Sequence, residues 1–398
     1  MTKRIYLDYA STTPLDPRVL KAMVPYFSKK FGNPSSIHAE GLEAKKAVDV
    51  ARLGVARLLE AHADEIVFTS GGTESNNLAI FGVVKALEET RRKISEMHFV
   101  TTVIEHSSVL ECFRELESRG AKVDYVEVKE NGVVDPQVIL NVLRKETVLV
   151  SVGYANNEIG TIQPIREISK LLSIHNSKFV IRNSPNEKKF RTFFHSDGSQ
   201  APLYLDCKPE HLGVDLLTLD GHKMYGPKGV GALYLRRGTA LHSILAGGGQ
   251  ERGLRSTTEN VPGIIGFAKA FEIADSIRKK ESERLTKLRD YFYSNVLQNI
   301  GIEKVIVNGD LKLRLPNNVN ISIPGFDSEF GVLKLDALGI ACSTKSSCLG
   351  SSGGSYVVEA LGGKKERSLS TLRFTFGRET KKSDLDYLLK ALTRIIQF

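Results

Sequence analysis

Residues 217–229 read Leu217-Thr218-Leu219-Asp220-Gly221-His222-Lys223-Met224-Tyr225-Gly226-Pro227-Lys228-Gly229. An apolar strand pattern ends at Asp220, and a lysine follows at once inside a turn rich in Gly and Pro. A single loop lysine is ordinarily just solvated. The frame around this one is unusual, because His222 can donate to a phosphate and the glycines let backbone approach a ligand closely. A lysine held in such a frame can form an imine with an aldehyde cofactor.

Working outward from this turn, short β-branched runs at 65–69, 98–103, 122–128, 148–153, 178–182, 193–196, 216–219 and 231–235 read as strands. Helical patterns lie between most of them, as at 73–87 and 165–175. This alternation predicts an α/β fold with a mainly parallel sheet covered by helices on both faces. Ligands of such sheets sit at the carboxyl ends of the strands. The polar segment 183–191 (NSPNEKKFR) reads as a surface loop or insertion. Beyond Pro262 the texture changes to a long helical pattern at 264–298, a strand at 318–323, a helix after Asp327, a strand at 372–376 and a final helix at 381–396. These predict a smaller α+β domain. The expected division is a large domain at 15–260 and a small domain built from 1–14 and 261–398.

At 398 residues, with 41% apolar and 25% charged residues, the chain has the composition of a two-domain globular protein. The net charge of +9 is scattered, with short clusters only at Arg91-Arg92-Lys93 and at Lys364, Lys365 and Arg367. No nucleic-acid-binding module accompanies it, so direct nucleic-acid binding is not expected. Cys112, Cys207, Cys342 and Cys348 have neither zinc nor redox spacing. No metal site follows from them, and a reducing cytoplasm is the expected compartment. No window approaches a membrane span.

Two further stretches suit the chemistry of the lysine turn. In 68–77 (FTSGGTESNN) a strand runs into a small-residue turn that opens a helix, whose free N–H groups form an anion site. In 194–200 (FHSDGSQ) an acid, Asp197, closes a strand. Such an acid is often a helix cap. It can also hold a pyridine nitrogen protonated, so that the ring of a pyridoxal phosphate (PLP) group works as an electron sink.

The order YLDYASTTP (6–14), SGGTESNN (70–77), IEHSSVL (104–110), ANNEIGTIQP (155–164), SDGSQ (196–200), HKMYGPKGVGALYL (222–235), GGGQERGLRS (247–256) and LRFTFGR (372–378) closely resembles the cysteine desulfurases of the class V aminotransferase group, the NifS- and IscS-like enzymes. The resemblance covers nearly the whole chain. It implies the PLP-transferase fold type I, with Lys223 as the Schiff-base lysine and Asp197 at the pyridinium nitrogen. His106 would stack on the ring and act as acid and base. Asn157 and Gln200 would surround the phenolic oxygen, and Gly72, Thr73 and His222 would bind the phosphate. Thr258 matches a threonine that reaches the phosphate from a neighbouring subunit, implying a homodimer. Arg373 would pair with the substrate carboxylate, a bidentate task suited to guanidinium, with Asn33 and Asn157 close to the same pocket.

Cys348 sits among serines and glycines in 343–356 (STKSSCLGSSGGSY), a composition typical of a mobile, exposed loop. It matches the family's sulfur-accepting cysteine, whereas the other three cysteines read as structural. The implied reaction takes L-cysteine to L-alanine and leaves a persulfide on Cys348. A sulfur-acceptor protein, either an iron–sulfur scaffold or a tRNA-thiolation protein, would follow. The chain departs from the family pattern at Asp220, where a phosphate-donating serine or threonine is usual, at Thr257 in place of glycine, and at Lys345-Ser346-Ser347 before the cysteine. Lys345 would lower the thiol's pKa if it lies close. Two alternatives remain at this level: a selenocysteine lyase-like PLP enzyme, and a weakened homologue acting as a binding scaffold.

Overall fold

The computed structural model describes residues 4–180, 191–345 and 353–396. The chain opens with a short strand, β1 (Ile5–Tyr6). Seven strands then build the central sheet: β2 (Ile66–Thr69), β3 (His98–Thr102), β4 (Lys122–Val126), β5 (Thr147–Ser151), β6 (Phe193–Asp197), β7 (Leu216–Asp220) and β8 (Gly231–Leu235). Their order is β2-β8-β7-β6-β5-β3-β4. All run parallel except β8, which pairs antiparallel with both β2 and β7.

The alternation of side chains along each strand feeds two separate cores. Phe68, Val100, Phe194, Leu217 and Leu219 pack under the helices Ala39–Leu58 and Val261–Ile300, together with Phe267 and Phe271. Val67, Phe99, Phe193, Leu216 and Leu233 pack on the other face with Leu78, Val83 and Phe113 of the helices Gly72–Glu89 and Ser107–Ser118. Burial on both faces is why these strands read as unbroken apolar runs. The edge strand β4 is mostly half-buried and begins at the exposed Lys122, which blunts the open edge.

The remaining strands are β9 (Ile306–Val307), β10 (Asn318–Ser322), β11 (Ile340–Ala341) and β12 (Thr371–Thr375). β9, β10 and β12 form an antiparallel sheet, and β1 runs parallel beside β11. A third core of Phe292, Val319, Ile321, Leu335, Phe374 and Leu388 covers this sheet. The 40-residue helix Val261–Ile300 joins two cores, giving Ile264, Phe267 and Phe271 to the first and Leu285, Phe292 and Val296 to this one. It starts three residues earlier than its apolar periodicity predicts, because Asn260 caps Gly263 and Pro262 occupies the first turn.

One predicted strand is wrong. Residues 178–180 continue the helix Ile165–Val180, so the β-branched run at 178–182 does not begin a strand there. Amphipathic periodicity carried through from Ile165 outweighs a short local propensity. Residues 183–190 of the insertion and Cys348 lie outside the described residues. Arg191, the last residue of the insertion, donates from Nη2 to Asp215 Oδ1 at 2.8 Å.

Candidate active site at the carboxyl ends of the parallel strands

Because β2 is antiparallel to β8 and β8 to β7, all six parallel strands end on the same side. There the loops after β2, β3, β5, β6 and β7 surround one cleft of ≈180 Å³. Gly72, Thr73, His106, Asn157, Asp197, Gln200, His222, Lys223 and Arg373 all line it, so nine residues expected from sequence meet in one place.

Lys223 ends the 3₁₀ turn Gly221–Lys223 directly after β7. Its Nζ donates to the carbonyls of Ala10 and Ser11, each at 2.7 Å. Gln200 Nε2 also donates to Ala10 O, at 3.0 Å. The segment before the first long helix therefore forms one wall of the cleft.

Asp197 closes β6 with both carboxylate oxygens engaged. Oδ1 accepts from Ser199 N at 2.9 Å and Ser199 Oγ at 2.6 Å, and Oδ2 accepts from Asn76 Nδ2 at 2.8 Å. Asn76 Nδ2 also donates to Ser108 Oγ at 2.8 Å. Ser108 Oγ lies 2.8 Å from His106 Nδ1, and the Ser108 amide donates to the same ring nitrogen at 3.2 Å. An amide can only donate, so His106 Nδ1 is the acceptor and its neutral ring carries the proton on Nε2. One chain of hydrogen bonds thus orients both the carboxylate and the imidazole.

Glu105, beside His106, is enclosed. Thr102 Oγ1 donates to its Oε1 at 2.6 Å and the Gly153 amide to its Oε2 at 2.8 Å. Burial pushes its carboxyl up to about 7 against the lowering pull of those two donors. Arg373 lies in β12, almost fully buried. Its Nη2 donates to Asp8 Oδ1 at 2.6 Å and its Nη1 to Asn157 O at 3.1 Å.

Asp220 turns its carboxylate toward the helix start at Gly72. Its Oδ2 accepts from the Gly72 amide at 2.8 Å and its Oδ1 from the His222 amide at 3.2 Å. Burial works to raise this carboxyl, but the His222 hydrogen bond and charge, the Gly72 amide and the Lys223 charge together hold it below the usual range.

Two of the predicted residues stand outside the lining of this chain's own cleft, Thr258 being one expected to serve a neighbouring copy. Asn33 is exposed, with Oδ1 accepting from Ser35 N at 2.9 Å, and it is not among the residues that line the cleft. The tight turn that opens at Asn33 spends its side chain locally. Thr258 is likewise exposed and outside the lining. Arg255, nearby in chain, pairs with Glu74 of the Gly72–Glu89 helix at 2.7 Å. Lys345 points its Nζ at Gly353 O, 2.6 Å away, which ties together the two positions flanking residues 346–352. Burial pushes the Cys112, Cys207 and Cys342 thiols each up to about 12, so none is a ready thiolate.

Sequence reasoning assigned no role to Asn76, Ser108, Ser199, Glu105 or Asp8. Asn76 had a visible signal, standing one helical turn after Gly72 on the face that meets the cleft. Ser108 and Ser199 each follow a site residue by two positions, the spacing of a side-chain turn. Nothing local marks Asp8, whose partner is 365 residues away.

The class-V aminotransferase family model matches residues 5–388. A cysteine desulfurase IscS of Dictyoglomus turgidum is 46% identical over 398 residues, covering 100% of this chain and 95% of that protein. Cysteine desulfurase IscS 1 of Archaeoglobus fulgidus is 42% identical over 393 residues, covering 98% and 97%. Among solved structures, a NifS-like protein superposes with a TM-score of 0.89 at 34% identity, over 100% of both chains. Matches of this length leave no part of the cleft outside the likeness, and the chain belongs to the class-V aminotransferase family, within its cysteine desulfurases.

Proposed function

We propose that this chain is a PLP-dependent cysteine desulfurase that converts L-cysteine to L-alanine and passes the sulfur to Cys348. The observation that carries the reading is the convergence of Lys223, His106, Asp197 and Arg373, from separate segments, on one cleft. The donor set suits the cofactor's ring: a carboxylate held on both oxygens, a lysine at the wall, and Asn76 Oδ1 buried without a partner among the described residues. When bound, PLP supplies the electron sink that lets the substrate's α-proton leave.

The protein's own groups do the rest. Asp197 would keep the ring nitrogen protonated, and Ser199 and Asn76 hold the Asp197 carboxylate in place for that task. Gln200 and Asn157 would hydrogen-bond around the ring's phenolic oxygen, and Gly72, Thr73 and His222 would hold the phosphate, all of them lining the cleft. Lys223 would hold the cofactor and would serve as the base that moves a proton from the substrate's Cα. Arg373 receives the substrate carboxylate from a guanidinium already fixed by Asp8. His106 holds a proton on Nε2 for the substrate thiol. The Cys348 thiolate then takes the sulfur: the C–S bond breaks, an S–S bond forms, and Cβ keeps the electron pair and takes a proton. L-cysteine plus thiol gives L-alanine plus persulfide, with no outside oxidant.

Cys348 belongs to a stretch whose described flanks are tied to the cleft. Ser343 N donates to Arg373 O at 3.2 Å, Ser355 Oγ to Glu158 Oε2 at 2.5 Å, and Tyr356 hydroxyl to Glu105 O. An acceptor protein, an iron–sulfur scaffold or a tRNA-thiolation protein, would collect the sulfur. A homodimer would bring the exposed Thr258 of each copy to the phosphate end of the other copy's cleft.

The test is purification with PLP and an assay of alanine and sulfide from L-cysteine, for the wild type and Cys348→Ala. The variant is expected to keep the cofactor's colour and lose sulfur transfer to an acceptor by at least about 100-fold. Full transfer without Cys348 would remove the persulfide assignment. A colourless wild type would remove the cofactor reading.

A further inference from the structure

The phosphate end of the cleft already holds an anion of the protein's own. The helix Gly72–Glu89 presents the Gly72 amide, and His222 stands opposite. Those are the donors a phosphate needs at a helix start. Here the Gly72 amide is taken by Asp220 Oδ2 at 2.8 Å, and His222 Nε2 lies 3.4 Å from the same oxygen. Asp220 is 7% exposed and lines the cleft. Space around it is short: a Cβ on Gly72 would stand 2.9 Å from Ser199 Oγ and 3.0 Å from Asp220 Oδ2.

The groups facing Asp220 come from four elements. Its own turn brings His222 and Lys223, the helix start brings the Gly71–Gly72 backbone, and the loop after β6 brings the Ser199 hydroxyl. β8 contributes Gly231, which has no side chain. The hydrogen bonds and charges that act on it from this turn and from Gly72 lower its pKa and so favour the carboxylate form. A doubly charged phosphate placed against the same two donors meets a like charge a few ångströms away, which is strongly unfavourable in a buried site. A phosphate that keeps one proton can instead donate it to the carboxylate as a short charge-assisted hydrogen bond.

We propose that Asp220 sets the affinity of this cleft for its cofactor by admitting the phosphate in its singly protonated form, with the phosphate O–H donating to the Asp220 carboxylate. The proposal rests on the reading of the cleft as a PLP site. It makes cofactor binding weaken as pH rises, since the singly protonated share of a phosphate monoester falls from about one half near pH 6 to about one hundredth at pH 8.

The test is calorimetric titration of the cofactor-free full chain with pyridoxamine 5′-phosphate, which has no aldehyde and so cannot bond to Lys223. Wild type, Asp220→Ser and Asp220→Asn are compared at pH 6 and pH 8, with phosphate-free pyridoxamine as control. The Asn variant keeps the shape of the turn cap if the Ser variant folds poorly, and thermal unfolding reports on both. Expected is a wild-type Kd that rises at least tenfold between the two pH values. Both variants should shift less than threefold and bind at least tenfold more tightly than wild type at pH 8, with pyridoxamine indifferent to the substitution. Variants that keep the wild-type affinity and slope would overturn the proposal, because the proton would then belong to His222 or to the phosphate alone. Absence of binding by every form at both pH values would overturn it together with the cofactor reading. Binding by wild type with no difference among the three would overturn the Asp220 role only.

Discussion

Glu105 is a carboxyl whose burial at the cleft leaves it about half protonated near pH 7. Its folded-state pKa of about 7 stands above the ordinary 4.5, so between those values the native chain binds more protons than the unfolded one. Stability from this group is therefore complete below about pH 4.5 and is lost as pH rises to about 7, by on the order of 3 kcal/mol in the limit. Glu105→Gln should remove this slope. Urea unfolding at pH 5 and pH 8 is expected to show the wild type losing more stability than the variant on going to pH 8. Equal losses would mean that Glu105 is already ionised at pH 5. Arg373 makes a related point about buried charge. Its pairing with Asp8 leaves the guanidinium compensated before any substrate carboxylate arrives.

At the scale of elements, the one antiparallel strand matters most for the site. β8 begins at Gly231, packed against the turn that opens the Gly72–Glu89 helix. A Cβ there would come within 2.7 Å of Leu219 O and 2.8 Å of Gly71 Cα. Gly71 itself has φ of 150°, outside the range comfortable for a side chain. Gly231→Ala should push β8 away from the turn, costing about 1–3 kcal/mol of stability. It should also weaken cofactor retention, because the Gly72 amide moves. A thermal melt and a dialysis assay for bound cofactor would check both; an unchanged melt would mean the turn gives way without cost.

For the whole molecule, a set of large apolar side chains is left on the surface near the start of the chain. Phe27, Phe31, Ile37, Leu42, Val50 and Leu53 are all exposed. Leu42, Val50 and Leu53 share a shallow groove with Lys45, Lys46 and Asp49. An apolar surface of this kind on a folded chain favours burial against another protein, and the proposed homodimer would supply a second copy. Leu42→Glu combined with Leu53→Glu is expected to shift the mass in sedimentation equilibrium from two copies toward one, and to lower activity with it. A wild type that sediments as one copy would exclude this face as a dimer contact.

The sequence by itself determined the class of fold, since alternation of buried strands and amphipathic helices is written in local periodicity. Local chemistry marked Lys223, His222, Asp197 and the turn that opens at Gly72, whereas His106, Asn157, Gln200 and Arg373 followed from the resemblance of whole motifs to a family. The tertiary structure decided which atoms those residues touch. Asp197 finds Asn76 from another strand-loop unit, and Arg373 finds Asp8 from the far end of the chain. Periodicity cannot encode such pairings, because they depend on how loops from different strands are brought to one rim. The same reason explains the misread strand, since 178–180 continues the helix that begins at Ile165. Asn33 accepts from Ser35 N within its own turn. Asp220 shows the division most plainly: its identity stood out in the sequence, but only the packing of β7 against the Gly72 helix start revealed that its carboxylate occupies the donors of the anion site.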